Sequence, residues 1–204
     1  MRDIATLKHI CENSQYVAVD FEKINAFLNS VENWDYNYWL ADIGLKLSEN
    51  ECILFAFICE SMNFCFWENR NWYVDYDGKK SGGAVALFYS VMNEIESNPA
   101  FLDIDYLLKL DMSSFSSIME SKNQVPPLLA ERFKNLKETI AIIASKKEKF
   151  YEELFSVTSD LELLNYIVKN FSHFDDQSEL DGQNIHFNKR AILLTNDLYN
   201  LSKK

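Results

Sequence analysis

Nowhere in this chain of 204 residues do about eighteen apolar residues run together, so the sequence offers no membrane-spanning helix. The N-terminal stretch MRDIATLKHICENSQ mixes charge with amphipathic spacing and lacks the continuous apolar core of a secretion signal. Basic residues are the minority: 20 Lys and Arg stand against 31 Asp and Glu, a formal charge of -11. That balance argues against direct binding of long nucleic acid by its phosphates, which needs a basic face, yet leaves room for one small nucleotide or nucleoside held by a local basic pair. Cysteine is scarce and unpatterned. Cys11, Cys52, Cys59 and Cys65 form no CxxC and accompany no His at zinc-ligand spacing, so they read as reduced core thiols and no metal site is indicated. P-loop, nucleophile elbow, dinucleotide fingerprint, internal repeat and low-complexity tract are all missing. A soluble, cytoplasmic protein without membrane association or cofactor is the expectation.

Disorder is excluded by a hydrophobic content of 48%, enough to bury a core in a chain of one-domain length. The densest chemistry lies in ESMNFCFWENRNWYVDYDGKKSGG, residues 60–83. Phe64, Phe66, Trp67 and Trp72 stand there beside Asn63, Glu68, Asp75 and Asp77. Alternation over Phe64–Trp67 and Trp72–Tyr76 predicts two strands of a small hairpin. Aromatic faces accept a flat ring by stacking, and neighbouring polar groups can then read its edge. The plainer alternative is an aromatic hairpin that covers the core.

Around it the pattern is helical. Ile4, Leu7, Ile10 and Cys11 predict a helix over residues 3–13, and Asp20 caps a second in which Ile24, Phe27, Leu28 and Val31 share a face; both serve as a lid or flank. Residues 33–47 read as an irregular connection. Ser48 and Glu51 form a capping box ahead of CILFAFICESM, a helix apolar on nearly every side. Asp77-Gly78 is a turn, Ser81 caps a helix ended by Asn98-Pro99, and Gly82 and Gly83 open that helix to close approach. Two short helices follow over 101–121, and Pro127 falls in the first turn of a long one carrying Leu129, Phe133, Leu136, Ile140 and Ile143 on one face. Helices over 147–156 and 160–171 come next, then a polar loop or small turn over 172–187 with Asp181-Gly182 at its tip. The last helix opens with Lys189 and Arg190. The fold class is mainly α: a single helical domain over 1–204, with flanking helices in 1–47 and one small β-hairpin.

Cations at a helix start are unfavourable unless something anionic relieves them, so Lys189 and Arg190 point to a phosphate or, more simply, to a solvated pair. Asp197, eight residues on, can share a face with Lys189. His173 and His186 flank the polar loop and read as surface residues.

Taken in order, NFCFW, then DYDGKKSGG with its helix, then VPPLLAERFKNLKET, then IHFNKRAILLTNDLY resemble the queuosine salvage family over residues 48–204. The resemblance implies a fold similar to helical DNA glycosylases. It also implies an N-glycosylase that releases the 7-deazaguanine base queuine from queuosine 5′-phosphate. Residue by residue, it puts Asn63, Phe64, Phe66 and Trp67 in the base-binding wall, with Ser81 and Arg190 also in substrate binding. Lys189 falls on a lysine needed for activity, and Asp197 stands beside it as second catalytic candidate. An aromatic would be more usual near Ser81. Family members continue further and carry an Asp in a FADYR-like motif, which this sequence lacks. A carboxylate is what the developing oxocarbenium ion needs. The alternatives are therefore a member that uses Asp197 instead, a binding module without hydrolysis, and a chain whose site is completed by a partner. A final helix short of its usual cover predicts a homo-oligomer.

Overall fold

The run CILFAFICESM becomes the helix around which the larger part of the molecule is packed. The computed structural model describes residues 11–16, 18–30, 46–68, 71–180 and 182–201. The chain divides into two compact units, Leu45–Asp176 with Asn188–Lys204, and Met1–Gly44 with Gln177–Phe187.

In the smaller unit, helix α1 (Phe21–Ser30) opens where Asp20 Oδ1 accepts the Lys23 amide at 3.0 Å. Ile24, Phe27 and Leu28 do share a face, and all three are exposed. Of the helix expected over 3–13, residues 11–13 are described and are helical; the rest, with Val31 and residues 33–45, falls outside the described residues.

The larger unit begins with α2 (Glu49–Met62), whose capping box is formed as expected: the Glu51 amide donates to Ser48 Oγ and the Ser48 amide to Glu51 Oε2, 2.7 Å away. Every residue from Ile53 to Met62 is buried, which a helix apolar on all sides requires. Strands β1 (Tyr73–Tyr76) and β2 (Lys79–Gly82) form an antiparallel hairpin, and α3 (Gly83–Ser97) follows. After a 3-10 turn at Pro99–Leu102 come α4 (Ile104–Lys109) and α5 (Met112–Met119), capped by Asp103 and Asp111. Then follow α6 (Leu129–Lys146), α7 (Glu148–Phe155), α8 (Asp160–Asn170, capped by Ser159) and α9 (Lys189–Leu201). Helix α2 packs chiefly against α9 and α6. Its Phe57 anchors the core, with ring centroids 5.3 Å from Phe150 and 5.0 Å from Phe171.

Several expectations need correction. Phe64–Trp67 is not a strand, because Cys65 takes a left-handed backbone, φ 47°, that no extended strand sustains. The partner of β1 is Lys79–Gly82, with Val74 opposite Ser81, across the expected turn at Asp77-Gly78. Ser81 therefore caps nothing. The N-cap of α3 is Gly82, where a Cβ would lie 3.1 Å from the Tyr73 ring, and Gly83 follows with φ 64°. Helix α6 starts two residues beyond Pro127, since Leu128 is left-handed. A second hairpin, β3 (Gln177–Leu180) with β4 (Gln183–His186), occupies most of what reads as a polar loop. Its sequence is too polar to signal strands, so the described residues form two small hairpins rather than one.

Candidate functional site at the meeting of α2 and α9

The end of α2 leaves carbonyls that the helix cannot satisfy, and two buried arginines and an asparagine take them. Arg132, from α6, is fully buried. It donates to the carbonyls of Met62 and Phe64, to Cys65 O at 3.2 Å, and through Nε to Pro127 O at 2.8 Å. Burial lowers its pKa to about 10, so it is still cationic at neutral pH. From α9, Arg190 reaches Ser61 O at 3.2 Å and the His173 carbonyl, and grips Asp176 through Nε (2.9 Å), Nη2 (2.7 Å) and its own backbone amide (2.8 Å). Asn135 also donates to Ser61 O.

These guanidinium groups also cover aromatic faces. Arg132 lies 4.5 Å over the Phe64 ring and 4.2 Å over Phe66, while Arg190 lies 5.0 Å over Phe64. Phe66 additionally stacks on Trp72, with ring planes 7° apart, and Trp72 Nε1 donates to Met119 O. Phe64 and Phe66 are therefore committed to protein partners, whereas Trp67, 65% exposed, has a face to offer.

Beneath this wall sits a group that pattern reading missed. Glu60, two residues before the end of α2, is 2% exposed, and Asn63 Nδ2 donates to its Oε1 and Oε2 at 3.2 and 3.0 Å. Burial and the nearby Asp197 carboxylate push Glu60 up to about 8, against the opposite pull of Asn63, Lys189 and Arg190. The Glu60–Asp197 pair thus keeps a proton well above the usual carboxylate range. Asp197 is itself 2% exposed, and burial with these two acids raises the Cys59 thiol too. Lys189, in the first turn of α9, is exposed. Eight residues of helix separate Lys189 from Asp197 by roughly 12 Å along the axis, so the lysine marks the surface and the aspartate the depth. In the sequence Glu60 is only a lone carboxylate inside an apolar run, which carries no periodic signal.

The structure thus brings Asn63, Lys189, Arg190 and Asp197 around Glu60, sets Phe64 under the Arg190 guanidinium, and puts Ser81 in β2, opposite Val74. His173 is no surface residue: its side chain is 6% exposed, Nε2 lies 2.9 Å from Thr139 Oγ1, and burial lowers its pKa to about 4. A pocket of about 240 Å³ lies at the opposite ends of α2 and α9, lined by Glu49, Ile53, Phe155, Asp160 and Tyr199 among others. Among the described residues that line it there is no Lys or Arg. Among the described residues, no His, Cys, Asp or Glu cluster is arranged to hold a metal ion, and no helix is long and apolar enough to cross a membrane.

Fold and site define a mainly helical protein in which a buried carboxylate pair lies within the electrostatic reach of a lysine exposed at a helix start. The chain belongs to the queuosine salvage protein family, whose model matches residues 44–204. It is 23% identical over 200 residues to a protein of Sphaerobacter thermophilus, an alignment covering 96% of this chain and 62% of that protein. It is 27% identical over 209 residues to one of Mus musculus (95% and 61%) and 26% identical over 214 residues to one of Bos taurus (95% and 61%). All three are named queuosine 5′-phosphate N-glycosylase/hydrolase. The chain spans about three fifths of the length of these curated relatives.

Proposed function

We propose that this chain binds queuosine 5′-phosphate and takes part in releasing its base, queuine, by hydrolysis of the N-glycosidic bond. The names of the relatives support the substrate, and the cluster of Glu60, Asn63, Lys189 and Asp197 carries the reading. Breaking that bond leaves oxocarbenium character on the ribose, which a carboxylate stabilises, and Asp197 is the candidate. Lys189, exposed at the positive end of α9, is suited to the phosphate. Asn63 and Trp67 serve the base, one by hydrogen bonding and the other by stacking; Phe64 and Phe66 shape the wall. We place the protein in the cytoplasm and assign it a homo-oligomeric state.

The test is incubation of the purified chain with queuosine 5′-phosphate, with chromatographic assay for free queuine. Release of queuine supports the reading. Tight binding without release moves it to a binding module, a reading favoured by the deep burial of Asp197. No binding overturns both.

A further inference from the structure

Helices α2 and α9 run antiparallel, for Arg190 at the start of α9 reaches Ser61 near the end of α2, while Leu198 and Tyr199 share a pocket with Glu49 and Ile53. Side chains on a helix lean toward its N-terminus, so across this packed face Glu60 and Asp197 lean toward each other. Both are 2% exposed. Two carboxyls so placed share a proton unless cations offset their charge, and the neighbouring arginines are committed elsewhere. Arg190 grips Asp176, and Arg132, from α6, serves the carbonyls of Met62 and Phe64. The groups facing Glu60 from its own helix and cap are neutral: the Asn63 amide, and the Cys59 thiol, which burial and the two acids hold in its protonated form. That leaves Lys189, exposed at the start of α9, as a cation that still draws the proton off the pair and is open to a ligand.

We propose that the buried Glu60–Asp197 pair couples the binding of an anion at the start of α9 to the uptake of a proton from solvent. This rests on the reading above, in which Lys189 takes the phosphate of the ligand, and it names the group that answers the phosphate's charge. An anion on Lys189 cancels the field that draws the proton away, so the pair holds it to higher pH. No covalent bond to the ligand changes: the proton leaves a buffer molecule and stays on the pair. By reciprocity the protonated pair favours the phosphate by the same factor. In the free protein the pair gives up its proton at about pH 8, with the titration shared between its members. Below that pH the proton is already in place and binding ignores pH. Above it the ligand must recruit the proton, so affinity falls until the occupied pair lets go as well. A phosphate monoester loses its own second proton near about pH 6, so the ligand does not supply the effect.

The test is titration calorimetry with the carbocyclic analogue of queuosine 5′-phosphate, in which a CH2 group replaces the ribose ring oxygen so that no oxocarbenium ion can form and no turnover heat intrudes. Its unphosphorylated form is the control. Each titration is run in Tris and in bicine, whose ionisation enthalpies differ, so that the difference in heat counts the protons taken up. For the unmutated chain, uptake should be near zero at about pH 6.5 and a large fraction of a proton at about pH 8.5, and affinity should fall about tenfold from about pH 7.5 to about pH 9.5. The unphosphorylated control should show neither effect. Glu60→Gln keeps an acceptor for Asn63 and leaves Asp197 no proton to share, so uptake should vanish and affinity should stay level over the same range. Thermal melts show that the variant compared is folded; the contrast between the two ligands tests the coupling in the unmutated chain alone. Binding of the phosphorylated analogue without uptake at about pH 8.5, or equal uptake with both ligands, overturns the coupling and leaves the substrate reading intact. Uptake that persists in folded Glu60→Gln overturns the assignment to this pair. Failure of the unmutated chain to bind the phosphorylated analogue overturns both.

Discussion

Glu60 is held in a place where its charge is unwelcome, and the pH dependence of stability should reveal it. An unfolded glutamate releases its proton near about pH 4.3, whereas the folded protein holds it to about 8. Between those values the folded state binds the extra proton, so stability falls as pH rises through that window and levels off above it. The titration belongs to the Glu60–Asp197 pair rather than to one member. Glu60→Gln removes the raised group, so its Tm should gain on that of the unmutated chain from about pH 4.5 to about pH 8. Calorimetry over a pH series measures this, and a constant gap would refute it. Trp67→Ala should weaken binding of queuosine 5′-phosphate by about 1 to 3 kcal/mol if the ring stacks on the base. The melting temperature should hardly move, because the side chain is 65% exposed. Lys189→Ala should likewise reduce queuine release while leaving the melt unchanged, whereas a structural lysine would do the reverse. At this scale the sequence made Asn63, Lys189 and Asp197 visible by spacing and resemblance. It hid Glu60, because a single carboxylate in an apolar helix has no periodic signature and acquires its character only when Asp197 arrives from α9.

Among the elements, those with local causes were legible. The Ser48–Glu51 box and the Asp77-Gly78 turn both depend on residues within a few positions of one another. Segment 63–66 was not legible. Its alternation suggests a strand, but Arg132 claims its carbonyls from the distant α6, and Cys65 adopts a positive φ. Hairpin β3–β4 went unread for the opposite reason, since QSEL and QNIH lack the β-branched and aromatic residues by which strands announce themselves. The Arg132 clamp makes a testable claim about elements rather than atoms. Arg132→Met leaves several buried carbonyls without a donor and should destabilise the fold by about 3 kcal/mol or more. Urea unfolding measures it, and a loss below about 1 kcal/mol would show that water or a neighbour replaces the guanidinium.

For the molecule as a whole, the expected self-association has a narrower basis than the sequence suggested. Leu194 and Leu198 of α9 are buried, while Ile192 and Leu193 remain half-buried. A homo-oligomer should appear in sedimentation velocity as a species near twice the monomer mass that grows with concentration; a single monomer boundary across the series would contradict it. The arginine clamps also bear on how the chain is made. The Ser61 carbonyl that accepts a hydrogen bond from Arg190 lies 129 residues earlier in the sequence. A ribosome adding about 5 to 20 residues per second needs roughly 6 to 26 s to travel between them. During that interval the rim of α2 has been synthesised but its last clamp has not. A nascent chain stalled before Arg190 should therefore hold most of the helices and still be unable to close the site.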